Sequence, residues 1–222
     1  MRIVAPPTVP GASPAPSSPA AQADTGGPIA RIGPNAIIQS VYVLRDRLGA
    51  GEADRLLRRA TGYDLAHLPH EMVDEREPLA LVRTVMDALG EPQATRVLRE
   101  AGRHTADYLL AHRIPRPAQW IMRAAPRRVG LALLLRAMAA NAWTFAGSAT
   151  FTVVRARAVT TLSFHDCAMC RGIESAGPMC DFYAGTFEHL TRALVTPRAE
   201  VVEVECQAHG GRDCRFEVRG IH

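Results

Sequence analysis

The chain has 222 residues, 47% hydrophobic and 22% charged, which suits one globular domain whose core needs no disulfide framework from its five cysteines. It contains no lysine, so all 26 basic residues are arginine; a P-loop, a pyridoxal enzyme and a Schiff-base aldolase each require a lysine and are excluded. A formal charge of +4 over this length, with 5% aromatic residues and no zinc-finger spacing, argues against nucleic-acid binding.

Residues 1–28 hold Pro6, Pro7, Pro10, Pro14, Pro16, Pro19 and Pro28 among Ala, Ser and Gly. Such a segment buries too little to order itself and is expected to be a disordered tail ahead of a single domain at 29–222. Its prolines also break the apolar run that a secretory signal needs, so a cytosolic protein with reduced thiols is expected.

Helical signals run from Ile32 to about Gly147. Pro34 suits a first turn, and Ile38, Val41, Leu44 and Leu48 follow at three- and four-residue steps before Gly49 and Gly51. Further helices are predicted over Glu52–Ala60, Pro78–Leu89, Pro92–Arg113, Ala118–Arg123 and Arg128–Phe145, most with Pro near the start or Gly or Pro after the end. Residues 129–147 are the most apolar stretch, but Arg136 and Asn141 near its middle favour a helix buried in protein over one in lipid. Arg123, Arg127 and Arg128 just upstream leave peripheral contact with a membrane surface open.

The period then changes. Thr150–Val159 and Thr160–Phe164 are rich in β-branched residues and partly alternate, which reads as a hairpin. Residues 166–178 read as loop, and Asp181–Val195 as an amphipathic helix ending before Thr196-Pro197. Ala199–Ala208 and Cys214–Arg219 alternate around His209-Gly-Gly-Arg-Asp213, a second hairpin. The expected fold class is therefore α+β: a mainly helical half at 29–147, then an antiparallel sheet with one intervening helix at 148–222. The acidic run Glu71, Asp74, Glu75 and Glu77 reads as a solvated face.

Cys167, Cys170, Cys180, Cys206 and Cys214 all lie in the last quarter, and their odd number argues against complete pairing. Cys206 and Cys214 flank the glycine hairpin on adjacent strands, and Cys180 opens a helix whose dipole favours a thiolate. Zinc takes three or four such ligands in a tetrahedron, and Glu203 or Glu205 can supply an oxygen. Cys167-Ala-Met-Cys170 has redox-pair spacing, but no strand-to-helix context of the thioredoxin kind surrounds it, and a second metal mode or plain loop cysteines fit better.

Residues 202–218, Val-Glu-Val-Glu-Cys-Gln-Ala-His-Gly-Gly-Arg-Asp-Cys-Arg-Phe-Glu-Val, resemble the end of the vinyl-4-reductase domain. That domain occurs in bacteriochlorophyll-biosynthesis proteins and in sensory modules of some transcription activators, and it resembles the Bet3-like fold. Some members hold zinc with Cys, Glu 23 residues on, Cys three further and Cys eight further. The resemblance places these on Cys180, Glu203, Cys206 and Cys214. Positions 203 and 206 differ by an odd number, so a regular strand puts them on opposite faces. Either a bulge lies between them, or Glu205 or Cys170 is the fourth ligand.

Arg31-Ile-Gly-Pro-Asn-Ala36, Pro69-His-Glu-Met-Val-Asp-Glu75, Pro115-Arg-Pro-Ala-Gln119 and Asn141-Ala-Trp-Thr-Phe-Ala-Gly147 extend the resemblance, over about residues 30–220, to the BchJ family of bacteriochlorophyll biosynthesis. It implies a Mg-tetrapyrrole ligand such as a divinyl protochlorophyllide, tetrapyrrole-pathway enzymes as partners, and a homodimer by fold analogy. The family's older name implies 8-vinyl reduction, which needs a nicotinamide, flavin or iron–sulfur source. Gly49-Ala-Gly51 lacks the third glycine and preceding strand of a dinucleotide site, and Glu203 among the cysteines favours zinc over an iron–sulfur cluster. A carrier that presents the tetrapyrrole therefore fits better than a reductase, with a small-molecule sensor as a third reading. His104, His112, Trp143, Phe145 and His165 are candidate pocket residues, with Arg113 or Arg123 near a ligand carboxylate.

Overall fold

Pro34 opens the first long helix where the Pro-near-start pattern places it, and most later boundaries follow the same punctuation. The computed structural model describes residues 30–156 and 159–221; the expected tail at 1–28 lies outside them, as do residues 157 and 158 of the predicted strand ending at Val159. In chain order the elements are β1 (Arg31–Ile32), α1 (Asn35–Leu48), α2 (Ala50–Thr61), β2 (Val73–Asp74), α3 (Arg76–Leu89), α4 (Glu91–His112), α5 (Arg116–Ala124) and α6 (Arg127–Ala140). A 3-10 turn at Ala142–Thr144 leads to β3 (Thr150–Arg155), β4 (Thr160–His165), α7 (Asp181–Leu194), β5 (Glu200–Glu205) and β6 (Cys214–Arg219). Helices first, then an antiparallel sheet interrupted by one helix, is the architecture expected. The β1–β2 pair, two residues per strand, is an addition that has no signal in the sequence.

The four-stranded sheet runs β3-β4-β6-β5, all antiparallel. β4 and β6 are its centre, and α7 is the connection that carries the chain from β4 to the edge strand β5. Some predicted elements stop early, among them the strand expected over Thr150–Val159, which ends at Arg155. The helix expected to reach Phe145 ends at Ala140; beyond it the chain tightens into the 3-10 turn, with the Thr144 and Phe145 N–H groups donating to the Asn141 and Ala142 carbonyls at 2.9 and 3.0 Å, and the Asn141 side-chain amide bonds back to the Ala137 carbonyl at 2.8 Å. The strand expected to reach Ala208 ends at Glu205, because the Cys206 carbonyl accepts from the N–H groups of His209 and Gly211 and curls the chain into a turn.

Helix α7 is buried on nearly every side, from Phe182 through Glu188 and again at Leu190, Thr191 and Leu194. Amphipathic patterning understates this, since Thr186, Glu188 and Thr191 are polar yet enclosed. Glu188 is satisfied by Arg99 Nη2 at 2.8 Å, Arg192 Nη1 at 3.0 Å and the Val201 N–H at 3.2 Å, as a buried carboxylate must be. Against α4, the backbones approach closely at two glycines. A Cβ on Gly102 would stand 2.1 Å from the Phe182 carbonyl oxygen, and one on Gly185 would stand 2.2 Å from that of Arg99. Toward the sheet, Phe145, Phe151, Phe164, Tyr183, Phe187 and Phe216 interlock with ring centroids 4.4–6.4 Å apart. That ring cluster fills the interior between α7 and the strands. Helix α6 buries Leu131, Leu134, Leu135 and Met138 as a core helix should, and no helix among the described residues is long and apolar enough to cross a membrane.

Candidate metal centre

The turn after β4, the start of α7 and the β5–β6 hairpin converge on one end of the sheet. Asp166 takes a left-handed backbone conformation (φ 58°) and turns the chain out of β4. Arg171 fixes that turn, donating from Nε to Asp166 Oδ1 at 2.9 Å and from Nη2 to the Asp166 carbonyl at 3.0 Å. Within it lie Cys167 and Cys170, and the Cys167 N–H donates to Gln207 Oε1 at 2.6 Å, tying turn to hairpin.

Arg171 also reaches Glu75 at 2.9 Å, and Ser148 donates its N–H and hydroxyl to the same carboxylate at 2.7 Å each. The acidic run expected as a solvated face therefore divides. Glu71 is exposed, but Glu75 is buried and anchors this network, Asp74 pairs with Arg76 at 2.6 Å, and Glu77 Oε2 is enclosed. The partner that allows Glu75 to be buried stands 96 residues away, which no local pattern can reveal.

Cys180 caps α7, where the helix dipole stabilises a thiolate. Cys206 follows β5 and Cys214 opens β6. All five thiols are free and at most 3% exposed. Sγ–Sγ distances are 3.6 Å for Cys180–Cys214 and 3.9 Å for Cys180–Cys206 and Cys206–Cys214. The donor atoms of Cys180, Glu203, Cys206 and Cys214 all lie within 4.8 Å of one another. The parity problem is met by a bulge: pairing passes from Glu203↔Phe216 to Glu205↔Arg215, so β5 carries one extra residue and Glu203 returns to the face of Cys206. Glu205, considered as a ligand, is engaged elsewhere. It accepts from the Arg212 N–H at 2.8 Å and pairs with Arg215 at 3.2 Å. Cys170, the other alternative, stands 3.3 Å from Cys214. The buried Cys167 and Cys170 thiols face Cys180 and Cys214 respectively, away from solvent, which removes the access a redox pair needs.

Glu203 Oε2 accepts the Cys180 N–H at 2.7 Å, while its Oε1 is buried with no hydrogen-bond partner. Burial first, and the neighbouring Cys206 next, push this carboxyl up to about 9. An enclosed carboxylate oxygen of this kind is suited to ligate a cation. A tetrahedral ion with metal–sulfur bonds of about 2.3 Å has sulfur–sulfur edges of about 3.8 Å, and the three edges among Cys180, Cys206 and Cys214 match that figure. The cluster can hold a metal ion.

The V4R domain family matches residues 160–220, the segment that carries all five cysteines. Over a longer span the sequence is 43% identical to the bacteriochlorophyll synthase 23 kDa chain of Cereibacter sphaeroides, across 198 residues that cover 87% of this chain and 94% of the relative. The chain belongs to the family of the bacteriochlorophyll synthase 23 kDa chain. The family's representative from Rhodobacter capsulatus is 37% identical over 84% of this chain and 85% of its own. Among solved structures, one from work on heme distortion in the H-NOX family aligns with a TM-score of 0.54 at 16% identity, covering 85% of this chain and 94% of that one. An H-NOX protein from S. oneidensis in its Fe(II)NO state aligns at 0.54 and 11%, covering 85% and 98%. At these identities the likeness is one of fold.

In this family member the expected tetrapyrrole-contact residues are dispersed. His104 is half-buried on α4, and His112 packs on Tyr108 at its exposed end beside Arg113. Arg123 is exposed on α5 and donates to the Ala193 carbonyl at 3.0 Å. Trp143 is 66% exposed, and His165 pairs with Asp213 at 2.9 Å. Phe145 enters the ring cluster, and its carbonyl accepts from the Tyr183 hydroxyl at 2.8 Å. None of the seven lines a cleft of about 450 Å³ between the start of α6 and the ends of β3, β4 and β6. Leu131, Val159, Val218 and Ile221 form its apolar wall, and Arg128, Arg155 and Arg219 edge it.

Proposed function

We propose that the chain is an accessory protein of bacteriochlorophyll biosynthesis that binds a Mg-tetrapyrrole intermediate of the divinyl protochlorophyllide type and presents it to pathway enzymes. The observation that carries this reading is identity of 43% across 94% of a relative named as a bacteriochlorophyll synthase chain. The shared fold with H-NOX structures, one of them from a study of heme distortion, supports a tetrapyrrole as the ligand class. The cleft edged by Arg128, Arg155 and Arg219 has the chemistry such a ligand needs, apolar walls for the macrocycle and guanidinium groups for a carboxylate. Titrating the protein with a divinyl Mg-tetrapyrrole is expected to give a saturable shift of the pigment's absorbance bands. Arg128→Ala combined with Arg155→Ala should weaken binding about tenfold, the loss of roughly 1.4 kcal/mol of charge-assisted contact. A pigment whose bands never saturate would count against the reading.

Zinc is the ion proposed for Cys180, Glu203, Cys206 and Cys214, because a mixed thiolate–carboxylate tetrahedron suits it. With four protein ligands it leaves no open position, so its role is structural: it clamps the α7 start to the β5–β6 hairpin.

Peripheral membrane contact is the remaining part of the proposal. Helices α5 and α6 expose Trp120, Ile121, Val129 and Leu133 beside the exposed Arg116, Arg123, Arg127 and Arg128. Apolar side chains among arginines suit an anionic lipid surface. Wild-type protein should co-sediment with anionic vesicles more than with neutral ones, and Trp120→Ala with Ile121→Ser should reduce that fraction several-fold. Equal sedimentation of wild type and variant would refute the assignment of this face.

A further inference from the structure

The proposed zinc site uses three of the five cysteines and leaves Cys167 and Cys170 without a role. Both are packed against it. Cys167 Sγ lies 3.9 Å from Cys180 Sγ, and Cys170 Sγ lies 3.3 Å from Cys214 Sγ. Cys167, Cys170, Cys180 and Cys214 form a second quartet whose donor atoms all lie within 4.8 Å of one another, and all four are buried. The two quartets share Cys180 and Cys214, whose sulfurs are 3.6 Å apart.

Two tetrahedra that share an edge describe two metal ions bridged by two thiolates. We propose that this end of the protein holds a binuclear thiolate cluster, with Cys180 and Cys214 bridging, Cys167 and Cys170 terminal on one ion, and Glu203 and Cys206 terminal on the other. The proposal rests on the metal reading above and extends it to a second ion.

Charge supports the pair. Two divalent cations against five thiolates and one carboxylate leave the same net charge as one divalent cation on four anionic donors, so the second ion adds no electrostatic burden. A single ion on Cys180, Glu203, Cys206 and Cys214 would instead leave two unligated thiols packed against coordinated sulfur. The bridging positions are also those the backbone serves. Cys180 sits at the positive end of α7, and the Gln207 N–H points at Cys214 Sγ at 3.5 Å. An iron–sulfur cluster is bridged by inorganic sulfide with protein thiolates kept apart on its outside, whereas here the protein sulfurs themselves converge.

Metal-free protein titrated with Cd(II) under anaerobic conditions should develop thiolate charge-transfer absorbance that saturates at two ions per chain, with native mass spectrometry showing the same stoichiometry. Cys167→Ser with Cys170→Ser should halve it to one, because the other quartet is intact. One ion in both proteins overturns the binuclear cluster while sparing the single site, and none in either overturns both. Two ions in both would show that Cys167 and Cys170 are not ligands and equally defeat the assignment. Wild-type protein loaded with Co(II) gives a readout free of any folding defect in the variant. The paramagnetic resonance signal should grow to one equivalent and collapse on the second as the bridged ions couple, and a signal that doubles contradicts bridging.

Discussion

Cys214→Ser is expected to strip the protein of metal and to lower its melting temperature more than substitution of Cys167, Cys170 or Cys206. Cys214 belongs to both quartets, its Sγ lies within 3.9 Å of those of Cys170, Cys180 and Cys206, and it is fully buried. Serine keeps the volume but is a poor ligand, so the remaining thiolates lose their shared cation and must take up protons. Loss of a structural metal belongs to the small class of changes that cost about 4 kcal/mol or more. At about 2–4 °C per kcal/mol for a chain of this size, the fall is about 10 °C. A chelator should bring the wild type down to the same temperature and leave the variant where it is. Thermal melts with and without chelator, read beside metal content, check this. A variant that melts with the wild type would remove the metal from the account of stability.

Gly102→Ala should be nearly as damaging for a reason unrelated to chemistry at the sulfurs. The added methyl would stand 2.1 Å from the Phe182 carbonyl oxygen and 2.9 Å from the Thr186 nitrogen, both backbone atoms that cannot swing aside. Helices α4 and α7 must separate, at an overpacking cost of about 3 kcal/mol, or a fall of about 6–12 °C in melting temperature. Because Phe182 lies two residues beyond Cys180, the shift also moves a metal ligand, and metal affinity should fall with stability. Gly51→Ala is the control. It lies inside the exposed start of α2 with nothing near its Cβ, and alanine there should stabilise by about 0.5–1 kcal/mol. Equal melting temperatures for the two variants would show that the close helix crossing is not a constraint.

Much of this architecture was legible because its boundaries are punctuated. Pro34, Gly49, Gly90, Pro92 and Pro115 mark where helices start and stop, and the change from a helical to an alternating period marks where the sheet begins. The convergence of Cys180, Glu203, Cys206 and Cys214 was also legible, through spacing and resemblance together. Even the need for a bulge followed from the odd step between 203 and 206, although nothing local says that the register slips between Glu203 and Glu205.

Other features depend on residues far apart in the chain. Cys167 and Cys170 join the cluster because the Asp166–Arg171 turn folds them over the hairpin, whereas their spacing alone left a second metal mode and plain loop cysteines both open. The burial of Glu75 depends on Arg171, and that of Glu188 on Arg99. The early end of α6 is a switch from i→i−4 to i→i−3 bonding at Asn141, which apolar patterning alone does not mark. Pocket residues were the least legible of all. Histidine and tryptophan identities say what a side chain can do to a macrocycle but not which face it occupies, and the aromatic residues that were expected near a ligand instead fill the core or stand on the surface.

The most direct measurement is to incubate the pure protein anaerobically with a divinyl Mg-tetrapyrrole, NADPH and an electron donor, then separate the bound pigment and determine its side chains. A carrier retains the pigment with its 8-vinyl group intact. Recovery of the 8-ethyl pigment would contradict the carrier and establish a reductase.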